Sequence, residues 1–132
     1  MGNVEVIQRL RRLLKTYTLV VLSDNAIVFC SKESTIAPLI SALDTLAEGL
    51  KGKILGDRVV GKAAALIMVI QPPKFVYAQV ISSPAVMILE RYDVRYAYGR
   101  IVRNILTKEG DICPFERAVM GIDDPNVAFH SG

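Results

Sequence analysis

Three stretches of this sequence hold residues whose type and spacing could do chemistry. In "DICPFE" the thiol of Cys113 precedes Pro114 and stands three positions before Glu116. Proline is favoured at the first position of a helix, so Cys113 reads as the N-cap of a short helix. Its sulfur would then sit at the positive end of the helix dipole, where a thiol pKa falls and thiolate is favoured. That would make Cys113 a candidate catalytic nucleophile or sulfur carrier. Glu116 falls at the third helical position, from which a carboxylate can return to the cap N–H, although its charge opposes thiolate formation. The plainer alternative is a small apolar cysteine buried at a turn.

The second stretch, "GDRVVGKAAALIMVI", covers residues 56–70 and interrupts an apolar run with Gly61 and Lys62. The third, "VISSPAVMILE", places Ser82 and Ser83 before Pro84. Both read as a strand passing into a helix, with Ser83 as N-cap and Pro84 in the first turn of the later one. In an open α/β sheet, ligands bind at the carboxyl ends of strands, where helix N-termini offer unpaired N–H groups. Two adjacent starts of this kind would make a site for an anion or a polar ligand. Lys62 would supply charge, Gly61 close backbone approach, and Ser82 and Ser83 hydroxyls. Asp57 would either pair with Lys62 or stand as a strand-edge charge. Against this, Gly61 can simply permit a tight turn while Lys62 carries its amine out to solvent. The spacing Gly56-x4-Gly61-Lys62 matches a phosphate-binding P-loop by count, but Ala63 stands where a Mg-binding Ser or Thr is required.

Composition narrows the field. A chain of 132 residues with 52% hydrophobic and 22% charged residues is expected to form one globular domain, residues 1–132. The longest apolar run, Ala63 to Ile70, is too short to span a bilayer. The N-terminus "MGNVEVIQRLRRLLK" has no signal-peptide core, and Val6 stands where myristoylation wants Ser or Thr, so the cytoplasm is the expected location. Two cysteines, Cys30 and Cys113, and a single histidine, His130, leave few ligands for a metal, and no cofactor is expected. The net charge of +3 gives no sign of a nucleic-acid partner. Arg9, Arg11, Arg12 and Lys15 read as the solvated face of an amphipathic helix, with an anionic partner as the alternative.

Around these residues the pattern is regular. Residues 3–15 show helical spacing within an N-terminal segment of residues 1–16. "YTLVVLS" and "AIVFCS" form a hairpin across Asp24 and Asn25, with Cys30 expected in the core. "STIAPLISALDTLAEGLKG" reads as a helix capped by Ser34 or Thr35 and stopped at Gly49. Strand and helix candidates then alternate through "VRYAYGRIV", the signature of parallel strands joined by crossovers. A short helix follows Cys113, and residues 125–132 read as a tail. The expected fold is an α/β three-layer α/β/α sandwich with a mixed sheet.

At the two strand–helix junctions the sequence resembles the cytidine deaminase fold, which runs helix, hairpin, helix, then alternating strands and helices. That family holds zinc through a His/Cys-Ala-Glu motif and a Pro-Cys-x-x-Cys motif. Here Pro84 is kept, but Ala85 and Ile88 stand at the cysteine positions, and "GKAAA" offers neither ligand nor glutamate. The resemblance therefore implies the fold without zinc-dependent deamination. More closely, "GDRVVGKAAALI", "VISSPAVMILE" and "ICPFERAV" resemble the bacterial family called domain of unknown function 1893, over roughly Tyr17 to Asp124. That resemblance implies a metal-less deaminase-like fold and no established activity.

The expected function is a non-catalytic module holding a nucleotide or other phosphate-bearing small molecule. Asp57, Gly61, Lys62, Ser82, Ser83 and Glu116 are its candidate binding residues. A cysteine-dependent enzyme in which Lys62 activates Cys113 is the alternative, and it requires the two to share a pocket. A scaffold using Tyr92, Tyr96 and Tyr98 is a third, and a homo-oligomer stays open.

Overall fold

The structure, a computed structural model, describes residues 2–107 and 109–125. His130 and all but the first residue of the expected tail lie outside the described residues. The elements run α1 (Gly2–Leu13), β1 (Leu19–Ser23), β2 (Ala26–Ser31), α2 (Ala37–Thr45), β3 (Ile54–Val60), α3 (Lys62–Met68), β4 (Phe75–Ser82), α4 (Ser83–Arg91), β5 (Arg95–Val102) and α5 (Pro114–Ala118).

The strands form one mixed sheet in the order β2-β1-β3-β4-β5. β1 pairs antiparallel with both β2 and β3, whereas β3, β4 and β5 run parallel. The hairpin turns on Asp24 and Asn25, both at positive φ (51° and 69°), which suits the tight turn that right-twisted strands need. Asn and Asp tolerate that conformation best among non-glycine residues.

Alternation along the strands sorts the core into two layers. Leu19, Val21, Val76 and Ala78 face α2, α3 and α4. Val20, Leu22, Phe75 and Tyr77 face α1 and the turn after it, whose Leu10 and Leu14 are buried against them. Gly56 is the point of closest approach: a Cβ there would lie 2.9 Å from Leu10 Cδ2. The far end of α1 is fastened to the sheet by Arg58, whose guanidinium donates to the Leu14 carbonyl (2.7 Å) and the Lys15 carbonyl (3.1 Å). These carbonyls belong to the helix C-terminus, where the dipole favours a cation.

α3 explains its own composition. Every residue from Ala63 to Met68 is buried, because α3 lies between α2 and α4 and over the sheet. It is shorter than the apolar run suggests, since the chain must turn toward Pro72 and Pro73 to start β4. α2 also starts late. Its N-cap is Ile36 rather than Ser34 or Thr35, and Thr35 Oγ1 accepts from the Ala37 N–H at 3.1 Å just before it. Cys30, expected in the core, is exposed. It sits on β2, the outer strand beside β1, beyond the cover that α1 gives the inner strands.

Candidate functional site

A cavity of about 310 Å³ opens where β3 ends and α3 begins. β1 and β3 are antiparallel and β3 and β4 are parallel, so the cavity lies where the sheet changes direction. It lies at the carboxyl end of β3, and ligands of open α/β sheets bind outside the carboxyl ends of strands. Its floor is Leu19, Leu39 and Ala64, and Asp57, Val59 and Gly61 form the β3 side. The approach to α2 adds Glu33, Ser34 and Thr35, while Ile105, Cys113, Phe115 and Glu116 close the remaining side.

Glu116 is the residue that organises this site. Its Oε1 accepts the backbone N–H of Lys62 (2.6 Å) and its Oε2 that of Ala63 (2.8 Å), from α5, 54 and 53 residues away. The first N–H groups of α3 are thus taken by a carboxylate of the chain itself, with favourable helix-dipole electrostatics. Gly61 is required by this contact, because a Cβ there would collide with the Glu116 carboxyl group. The expected return of Glu116 to its own helix cap does not form. The Cys113 N–H donates instead to the Ile105 carbonyl at 2.9 Å.

Asp57 projects toward the cavity but does not pair with Lys62. Burial raises its pKa from 3.8 to about 7, partly opposed by backbone N–H groups, of which Val59 donates to Oδ1 at 3.3 Å. The residue is half-buried and lines the cavity, so solvent retains some access to its carboxyl group.

Lys62 turns its side chain away from this cavity. That side chain is only 13% exposed; its ammonium group meets Asp123 Oδ1 at 2.8 Å, and Arg91 approaches the other oxygen at 3.6 Å. The hydrogen bond and charge of Lys62 hold the Asp123 pKa below the usual carboxylate range. The pair lies over a separate depression formed with Pro84, Met87 and Ile88. Lys62 and Cys113 therefore do not line one pocket, and the proposed activation of the thiol by Lys62 has no geometric basis. Cys113 is the N-cap of α5 as expected, but its sulfur makes no cap hydrogen bond.

The starts of α3 and α4 do lie side by side, as adjacent parallel crossovers require. Their hydroxyls are spent on structure. Ser82, not Ser83, is the N-cap of α4: it is fully buried, and its Oγ accepts the Ala85 N–H at 3.2 Å. Ser83 is exposed, and its hydroxyl donates to the Val102 carbonyl at 3.4 Å. Neither serine lines the main cavity.

Sequence reasoning missed Thr18, Glu33, Phe115 and Ile105 as site residues. The polar run "SKEST" before α2 was the one available signal for this wall. Among the described residues, no three His, Cys, Asp or Glu side chains are grouped to hold a metal ion, and no helix is long and apolar enough to cross a membrane. Tyr96 and Tyr98 stack on β5 with centroids 6.4 Å apart. The Tyr96 hydroxyl donates to Glu90 at 2.7 Å, which pushes its pKa up to about 12.

The family model described as a domain of unknown function, DUF1893, matches residues 7–131. Among solved structures, the crystal structure of a DUF1893 family protein (TM1506) from Thermotoga maritima is 28% identical and superposes with a TM-score of 0.87. The likeness covers 96% of this chain and 87% of that one. No curated protein matches the chain.

Proposed function

This chain belongs to the DUF1893 family, and from that premise we propose that it is a non-catalytic module binding a compact organic molecule in the cavity at the end of β3. The order helix, hairpin, helix, then alternating strands and helices supports a cytidine deaminase-like three-layer sandwich stripped of its metal motifs. Ala85 and Ile88 stand where that fold carries zinc-binding cysteines.

The observation that carries the reading is the cavity itself. At about 310 Å³ it is near the lower end of ligand pockets. Its walls are largely apolar, and the polar residues among them include Asp57, Cys113 and Ser34, with Thr18 and Thr35, whose hydroxyls are held by backbone groups. A single ring system with one or two polar groups fits that description. A phosphate does not, because Glu33, Asp57 and Glu116 line the space, the α3 N–H groups already hold Glu116, and Arg58, the one cation in the lining, spends its guanidinium on the Leu14 and Lys15 carbonyls. The ligand class inferred from the sequence thus changes from anionic to uncharged or cationic. Asp57 would give it a hydrogen-bond partner that donates or accepts as it titrates.

Thermal melts with a panel of uncharged single-ring compounds, small amines, nucleoside monophosphates and inorganic phosphate test this. A concentration-dependent rise in Tm is expected from one of the first two groups and not from the phosphates. Phe115→Ala, at an exposed residue on the cavity wall, should lose that rise. No stabilisation by any compound, or full retention in Phe115→Ala, would remove the site.

A further inference from the structure

We propose that residues Cys113–Asp123 form a strap that closes the cavity, and that Glu116 and Asp123 are the fastenings that govern its opening. The inference rests on reading the cavity as a ligand site and supplies its regulation.

Three observations converge on it. The strap furnishes one wall of the cavity through Cys113, Phe115 and Glu116. It is poorly anchored by apolar contact: α5 buries none of its residues, and Val119 is the one member of Cys113–Asp123 that enters the core. Its other attachments are polar: the Cys113 N–H to the Ile105 carbonyl, Glu116 to the Lys62 and Ala63 N–H groups, and Asp123 to Lys62 and Arg91, so that the two carboxylates meet on Lys62. Glu116 grips the backbone N–H of Lys62 on the cavity side, while Asp123 grips the ammonium group on the other. One residue at the start of a fully buried helix is thus clasped from both sides by a segment that otherwise lies on the surface.

This arrangement makes opening local. The strap can part from α3 and α4 by breaking two N–H···O contacts, the ion pairs of Asp123 with Lys62 and Arg91, and the seat of Val119, while the sheet and α2–α4 stay packed. Segments with few buried apolar contacts open well below the cost of global unfolding. Opening exposes Cys113, half-buried in the closed arrangement, more fully and widens a ligand's way in.

Cys113 reports the event if Cys30, which is exposed, is first changed to serine. In that background we would measure the rate of alkylation by iodoacetamide. Asp123→Asn, on the far side of α3 from the thiol, is expected to raise the rate about two- to fivefold, as befits a pair with one exposed partner. Glu116→Ala, which frees two buried N–H groups, is expected to raise it about tenfold or more. Circular dichroism should show the same fold in both. If Glu116→Ala does not fold, Asp123→Asn decides alone. Folded variants that alkylate at the parental rate would overturn the strap. Faster alkylation with no compound binding would leave the strap and remove the ligand reading, and binding with unchanged alkylation would do the reverse.

Discussion

Asp57 carries a proton over a range in which most aspartates have lost theirs. In the unfolded chain it releases that proton near 3.8, but in the folded chain only at about 7. Folding therefore takes up a proton between those values, and stability falls as the pH rises through the window. The loss from this group amounts to at most about 4 kcal/mol, reduced by whatever solvent the cavity admits. Chemical unfolding at about pH 5 and about pH 8 should show the native chain less stable at the higher value. Asp57→Asn should flatten that difference. An unchanged slope in the variant would mean that the carboxyl group is solvated after all. At this scale the sequence pointed to the right backbone and the wrong partners. Gly61 and Lys62 are special, yet what makes them so is Glu116 and Asp123, more than fifty residues along the chain. Local spacing carries no information on contacts made by a later segment folding back, so Glu116 read as a cap for its own helix.

At the scale of elements, local chemistry was the better guide. The hairpin, the alternating strands and helices, and the cap before α4 all follow from turn residues, β-branched runs and Ser-Ser-Pro. The cap was misplaced by one residue because both serines are able acceptors, and burial chose Ser82. Its hydroxyl is spent on the Ala85 N–H, so Ser82→Ala should cost about 1–2 kcal/mol in urea unfolding. Ser83→Ala, removing an exposed 3.4 Å contact, should cost a few tenths at most. A reversal of that order would mean that the cap is assigned to the wrong serine. The late start of α2 and early end of α3 were not legible, since both are set by the turns that return the chain to the sheet.

For the molecule as a whole, the mixed sheet with helices on both faces was readable from the order of patterns, but the packing of particular layers was not. Cys30 looked like core by its apolar neighbours and is exposed because β2 has only one strand beside it. Nothing in a strand's own residues says whether it lies at an edge. α1, by contrast, is a full layer: Leu10 is completely buried and sits directly over Gly56. Leu10→Ala should therefore destabilise the whole molecule by about 2–5 kcal/mol in urea unfolding. A cost below about 1 kcal/mol would mean that α1 is a loose attachment rather than part of the core.

Because Glu116 follows Lys62 by 54 residues, ribosomes making about 5–20 residues per second deliver it roughly 3–10 s later. During that interval the nascent chain has no Glu116 to take up the leading amides of α3, and the hollow beside them lacks one of its sides. The hollow thus reaches its final outline only when translation supplies Cys113, Phe115 and Glu116.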